Sequence, residues 1–395
     1  MTPVAIVGLG CICALGADYQ QCLQTLFAGQ RRFGLPSRFP AACEVSQPVF
    51  EVPDSFLQHD SVPGNLSRTC RMAMVATWEA LDHGNLDART LARHRVGVCL
   101  GSNIGVTSGY AVAQNDTDAF LLPRDRFLAT NPTHLLADTL DLSGPQQTVA
   151  NACTAGSDAI GVAAAWIDQG ICDAVIAGGT DELTPRVYFG FKSLFINDEK
   201  PCRPFDRDRR GLNLGEGAAV FVLASTDFCQ AHEIVPKGYI LGYGSTADAD
   251  HFTQPRADGK GLRLAIDESL TSAGLAPDAI CFINAHGTGT PDNDRVESHV
   301  LNKMFPGRPF LSTKGYTGHT LGAAGPIEAA LTLGCLDRGR LPVTAGFETP
   351  DADLPAQPVA EPTMIQGTVA LSQNLAFGGS NAVLVIGKQE EPGCV

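Results

Sequence analysis

The sequence predicts an α/β fold built from two similar halves, and two observations carry that expectation. Short apolar, β-prone runs alternate along the chain with alanine-rich stretches of helical character. The halves also rhyme. Each opens on an apolar strand ending in glycines, "VAIVGLGCICALG" at 4–16 and "GYILGYGSTADAD" at 238–250. Each later repeats strand, small-residue turn and Gly/Ala-rich helix, "TVANACTAGSDAIGVAAA" at 148–165 and "FLSTKGYTGHTLGAAGPIEAA" at 310–330. An internal duplication with its seam near 231–237 follows, giving an N-terminal half over 1–234 and a C-terminal half over 235–395.

Strands are expected at Val4–Val7, Val96–Leu100, Gln147–Ala150, Ala174–Ala177 and Ala218–Leu223 in the first half. In the second they fall at Tyr239–Tyr243, Ile280–Ile283, Phe310–Ser312, Val369–Ser372 and Ala382–Ile386. Several are unbroken runs of Val, Ile and Ala, as in strands buried on both faces of a parallel sheet. Helices are expected at Tyr19–Ala28, Arg68–His83, Asp158–Gln169, Gly261–Ala273, Asp294–Met304 and Ile327–Arg338. The Pro- and Phe-rich stretch 31–64 and the Pro- and Asp-rich stretch 350–362 read as the loosest segments.

At 395 residues the chain can bury a large core, and only 18% of it is charged, which suits a big interior and a buried subunit interface. The net charge of −14 argues against nucleic-acid binding, which needs clustered Lys and Arg. Thirteen cysteines, an odd number with no CxxC pair or zinc-finger spacing, fit a reducing compartment. The first basic residue is Arg31, so the apolar run at 4–7 reads as a buried strand rather than a signal peptide. No segment approaches the ~18 apolar residues of a membrane span. A cytoplasmic protein is expected.

Cys153 lies where a short β-prone segment runs into a helix. Unpaired N–H groups and the positive end of the helix dipole meet there and favour a thiolate. Taken alone, a cysteine at this place reads more readily as core filling, because free Cys is among the most buried residue types. Two histidines change that reading. His286, in "FINAHGTGTPDND", and His319, in "LSTKGYTGHTLGAAG", both follow apolar strands and precede Gly-rich turns. Both imidazoles should emerge at one sheet edge, where ligands bind. One cysteine and two histidines allow a metal site, though the ligands are widely spaced. They allow a Cys–His hydrolase. They also allow acyl transfer with carbon–carbon bond formation, in which two imidazoles donate to one developing enolate.

The chain resembles the elongating β-ketoacyl-acyl-carrier-protein synthases, condensing enzymes of the thiolase fold. The resemblance covers nearly the whole length. It rests on "ACTAGSDAIG" around Cys153, "AGGTDE" at 177–182, "RPFDRDRRGLNLGEGAAVFVL" at 203–223 and "DADHFTQP" at 248–255. It continues through "NAHGTGTPDND" at 284–294, "STKGYTGHTLGAAGPIE" at 312–328 and "AFGGSN" at 376–381. It implies an internally duplicated αβαβα layered architecture.

It also implies residue roles. Cys153 matches the acyl-accepting nucleophile, and His286 and His319 match the pair that assists malonyl decarboxylation. Lys314 and Glu328 match an ion pair that orders the second histidine's turn. Thr288 and Thr290 match hydroxyls that bind the phosphopantetheine arm. Phe377, before Gly378 and Gly379, matches an aromatic gate. The implied reaction is ping-pong: Cys153 takes an acyl chain, malonyl carrier loses CO2, and the enolate attacks the thioester. No metal or redox cofactor is called for; substrates ride on the phosphopantetheine of an acyl carrier protein. The assembly expected is a homodimer, or a heterodimer with a ketosynthase-like subunit of the chain-length-factor type.

A non-catalytic partner subunit of that type usually lacks the cysteine that this chain keeps. A degradative thiolase usually carries a second active-site cysteine near the C-terminus, and none stands in "AFGGSN". The stretch Gln373-Asn374-Leu375-Ala376-Phe377 departs from the family's Asn-Ser-Phe-Gly-Phe. Ala376 replaces a hinge glycine, so a gate state with φ > 0 there would be strained. The segment from Phe127 to Pro145 is shorter than in typical fatty-acid enzymes, and both departures point to a specialised product such as a polyene. An acidic carrier needs a basic patch, and Arg68, Arg71, Arg207, Arg209 and Arg210 are the candidates.

Overall fold

The computed structural model describes residues 1–39, 47–103 and 131–388. The first half supplies β1 (Val4–Cys13), β2 (Val96–Gly101), β3 (Gln146–Val149), β4 (Ala174–Asp181) and β5 (Gly217–Ala224). The second supplies β6 (Gly238–Ala247), β7 (Phe282–Asn284), β8 (Phe310–Leu311), β9 (Arg340–Leu341), β10 (Thr363–Met364), β11 (Val369–Leu375) and β12 (Ser380–Gly387). The helices of the first half are α1 (Tyr19–Phe27), α2 (Arg68–His83), α3 (Ala88–Ala92), α4 (Pro132–Thr139), α5 (Ala155–Asp168), α6 (Pro185–Ser193) and α7 (Thr226–Ala231). Those of the second are α8 (Lys260–Ala273), α9 (Pro291–Met304), α10 (Lys314–Thr317) and α11 (Ala324–Arg338).

Ten strands form one sheet in the order β3-β2-β4-β5-β1-β6-β12-β11-β7-β8. Read outward from the centre, one half runs β1-β5-β4-β2-β3 and the other β6-β12-β11-β7-β8. The polarities repeat as well. The two inner pairings of each half are antiparallel and the two outer ones parallel. The duplication is therefore present in topology, and the parallel pairing expected beneath the histidines holds for β7 and β8 within a sheet of mixed polarity. The apolar runs arise because helices cover both faces. The halves join where Val4–Ile6 pairs antiparallel with Gly238–Ile240.

Helix α2 packs on β1 and β5, and α8 on β6 and β12, as outer layers. Helices α5 and α11 touch each other and strands of both halves, forming the middle layer. The main core lies around this pair and takes Leu9, Cys11 and Cys13 from one face of β1. A second core, beneath α2, takes Val7 and Ile12 from the other.

Strand β1 runs through the glycines expected to end it. A Cβ at Gly8 would stand 2.1 Å from the Ala80 carbonyl oxygen, and one at Gly10 2.1 Å from that of Ala76. Those glycines let α2 lie against the strand. Helices α5, α9 and α11 each begin three residues before the expected start, taking in Ala-Gly-Ser, Pro-Asp-Asn and Ala-Gly-Pro. Small residues and proline fit a first turn whose N–H groups have no helical partner.

Candidate active site

The first half aims Cys153 through a tight elbow. Ala152 has φ of 47°, Ala152–Thr154 form a 3-10 turn, and α5 follows at once. A left-handed alanine costs roughly 1–2 kcal/mol, so the surroundings must hold it. Asp158 does so. Its carboxylate accepts from Asn151 Nδ2 at 2.6 Å, Thr154 Oγ1 at 2.8 Å and Tyr243 OH at 2.7 Å.

The second half contributes the histidines. His286 follows β7, and His319 follows β8 after the single turn of α10, so both sit at the ends of parallel neighbours as expected. Their ring centroids lie 5.4 Å apart, nearly perpendicular at 86°. With Cys153, Thr288, Thr290 and Phe377 they line one cavity of about 380 Å³. The cysteine from one half and the histidines from the other thus face a common space.

Burial holds both imidazoles well below the ordinary histidine range, and the neighbouring Lys314 charge adds to this. Both rings are therefore neutral, and their contacts decide which nitrogen carries the proton. His319 Nδ1 accepts from the Leu321 N–H at 3.1 Å. His286 Nδ1 accepts from Lys314 Nζ at 3.0 Å. Each Nδ1 is an acceptor, which leaves Nε2–H as the donor of each ring. Two neutral N–H donors at one cavity are suited to an oxyanion.

Lys314 Nζ also donates to Glu328 Oε1, and both side chains are buried. The expected ion pair is present. Its lysine stands on the second histidine's turn, as expected, and in addition donates to the ring of the first. Burial pushes the Cys153 thiol up to about 11, against the pull of Lys314 and the Phe377 backbone N–H. The resting thiolate expected from the helix end is thereby corrected: desolvation outweighs the Lys314 charge and the Phe377 N–H, and the group rests as a thiol.

Thr288 and Thr290 hydroxyls bond each other at 2.8 Å on the cavity wall. Phe377 stacks on Phe191 of α6 with centroids 5.6 Å apart and planes 18° apart. Gly378 and Gly379 behind it take φ of 85° and 84°. The Gly378 N–H donates to the Phe252 carbonyl at 2.8 Å, and the Gly379 carbonyl accepts from Asp248 N–H at 2.7 Å. Ala376 stays outside the positive-φ region, so in this state the substitution carries no strain.

The basic candidates separate. Arg68 is spent internally, a correction with a plain cause: it donates to the fully buried Glu216 at 2.9 and 3.1 Å, to Asp54 at 2.5 Å and to the Val52 carbonyl. Arg71 is partly buried and donates to the Leu57 carbonyl at 3.1 Å. Arg209 is buried against Asp351 at 2.6 Å. Arg207 is exposed beside Asp208, and exposed Arg210 stands on the cavity wall. The segment beginning at Phe127 lies, up to residue 130, outside the described residues.

Sequence reading missed the groups behind the histidines. Glu297 accepts from the N–H groups of His286 and Gly287 at 2.8 and 2.6 Å and from Asn293 and Gln373 side chains at 2.7 Å each. Burial pushes its carboxyl up to about 7. Asn374 donates to Glu328 at 2.6 Å and accepts from Ser157 Oγ at 2.6 Å. The signal for Gln373 and Asn374 was their departure from the family pattern.

The comparisons with known proteins agree with this geometry. The description "Beta-ketoacyl synthase, N-terminal domain" matches residues 1–228, and "Beta-ketoacyl synthase, C-terminal domain" matches 237–348. The chain is 33% identical to the 3-oxoacyl-[acyl-carrier-protein] synthase 2 of Synechocystis sp. over 415 aligned positions, 98% of each chain. Among solved structures it is similar to the ishigamide ketosynthase/chain length factor, at TM-score 0.90 and 28% identity, covering 98% of this chain and 99% of that one. It is also similar to the ketosynthase ApeO in complex with its chain length factor ApeC from Xenorhabdus doucetiae, at TM-score 0.83 and 29% identity over 98% of each.

Proposed function

The chain belongs to the β-ketoacyl synthase family, and from that premise we propose that it condenses an acyl thioester with malonyl carrier protein. In this reading the Cys153 sulfur attacks the carrier-bound acyl thioester; its S–acyl bond forms as the acyl–carrier C–S bond breaks, and the thiol proton passes to the departing carrier thiol. A malonyl thioester then enters past Phe377, whose stack on Phe191 closes the cavity between half-reactions. Loss of CO2 leaves an enolate whose oxygen meets the Nε2–H groups of His286 and His319. Its carbon attacks the acyl thioester, Cys153 leaves, and a β-ketoacyl carrier two carbons longer results.

One observation carries the proposal: two neutral imidazoles, each with Nδ1 occupied as an acceptor, open on the same cavity as the thiol. Each donor should contribute roughly 3 kcal/mol at the transition state. Lys314, Glu328 and Glu297 act as positioning residues. The bond changes are redox-neutral and the charge is met by N–H donors, so the reaction calls for no metal or redox cofactor. The test is intact mass spectrometry with a panel of acyl carriers. Wild type should gain one acyl mass and Cys153→Ala none, while the latter should still release CO2 from malonyl carrier. Failure of the wild type with every carrier would sink the proposal.

A heterodimer is the second reading, because the ishigamide and ApeO relatives are described with chain length factors. Turnover by this chain alone, equal to that with such a partner, would remove it. Efficient turnover across saturated medium-chain carriers would likewise remove the specialised-product reading. Among the described residues no helix is long and apolar enough to cross a membrane. Cytoplasmic residence belongs to the proposal and is supported by the odd cysteine number; every described cysteine is free of disulfides.

A further inference from the structure

Cys11, Cys13 and Cys22 take no part in the proposed reaction, and none of them lines the catalytic cavity. Cys11 and Cys13 are two residues apart on β1 and face the middle layer together. Cys22 comes from α1, the helix that follows β1. All three are fully buried. Their sulfur atoms lie within 4.8 Å of one another, with Cys13 and Cys22 at 3.6 Å. A triangle of that size has a centre about 2.6 Å or less from every corner, close to the ~2.3 Å of a metal–thiolate bond.

We propose that this trio binds one soft, thiophilic cation, Cu(I). The ligand set selects it. Thiolate sulfur favours soft ions, and structural Zn(II) almost always takes a fourth ligand. Among the described residues no His, Asp or Glu completes a fourth position. The nearby acid, Glu79, has its carboxylate engaged by the N–H groups of Cys11 at 2.8 Å and Tyr19 at 2.6 Å. Binding exchanges thiol protons for the ion: two thiolates and one thiol around Cu(I) leave a net charge of −1, with two protons released to solvent. The spacing C-x-C-x8-C hides the site in the sequence, because the helix supplies the third ligand only once folded.

The three cysteines fall in one tryptic fragment, 1–31, since Arg31 is the first basic residue. The experiment titrates the reduced full-length protein anaerobically with Cu(I) buffered by bicinchoninate. Wild type and Cys153→Ala should each retain one ion, with all three cysteines of fragment 1–31 shielded from alkylation. Cys13→Ala and Cys22→Ser should weaken binding by about 100-fold or more. Unchanged copper content in those variants, or a Cys13–Cys22 disulfide in place of the ion, overturns the proposal. X-ray absorption of loaded wild type avoids any folding defect of the variants. Three sulfurs at ~2.3 Å are expected, and two sulfurs or any nitrogen ligand counts against it. The outcome is independent of the condensation assay.

Discussion

The two halves of the molecule carry the same elbow and use it differently. In the first, Ala152 at φ 47° leads through a 3-10 turn into α5. In the second, Leu321 at φ 56° leads through Leu321–Ala323 into α11. The first presents Cys153 to the cavity. The second presents Gly322, whose N–H donates to Asp181 at 2.8 Å, while the Leu321 N–H fixes the His319 tautomer. The elbows also abut: a Cβ at Gly156 would lie 2.4 Å from the Gly322 carbonyl oxygen. Duplication thus supplied two strained turns around one space. One became the proposed site of acyl attachment and the other the support for the proposed oxyanion donors. Fold symmetry is kept where backbone packing demands it and abandoned where side chains do chemistry.

The sharpest way to break this contrast is to remove the side chain that distinguishes the first elbow. Cys153→Ala should lower condensation by about 10⁴-fold or more, read as turnover of acyl and malonyl carriers. An effect of tenfold would mean that the thiol is not the acyl holder. The second elbow is tested through its histidine. His319→Ala, and His286→Ala beside it, should each cost roughly 10²–10³-fold in kcat. The double variant should lose less than the product of the two, because the donors share one oxygen.

The contact between elbows is tested by Gly156→Ala. Its Cβ would meet Pro326 Cδ at 2.3 Å as well as the Gly322 oxygen, so overpacking should cost about 1–3 kcal/mol in denaturant unfolding. Unchanged stability would show that the elbows do not lean on each other. The protonation state of the first elbow is open to alkylation kinetics. With the thiol pushed up to about 11, the thiolate fraction grows tenfold per pH unit below that value. Iodoacetamide labelling of Cys153 should therefore climb steadily from pH 7 to 9, and a plateau near pH 7 would restore the dipole-stabilised thiolate. The smallest effect is expected from Ala152→Gly. Relief of the left-handed alanine should stabilise the fold by up to about 1 kcal/mol.

Much of this was legible in the residues. Cys153, His286 and His319 stand in strand-to-helix turns whose small residues mark them, and the rhyme at 148–165 and 310–330 foretold the paired elbows. Arg68 was misread because a cation in a helix's first turn gives no sign of Glu216, 148 residues away, waiting beneath it. Glu297 and Asn374 escaped notice for a related reason. Their importance lies in which donors and acceptors they reach, and those come from β7, α5 and α11.

What the sequence determined by itself was the alternation of strands and helices, the duplication and the three candidate side chains that line one cavity, because apolar period, glycine placement and motif spacing are local properties of the chain. Tertiary structure alone decided the mixed polarity of the sheet, the protonated nitrogen of each imidazole, the resting state of the thiol and the meeting of Cys11, Cys13 and Cys22. Each of these depends on desolvation or on contacts between distant segments, and neither exists until the halves have packed around α5 and α11.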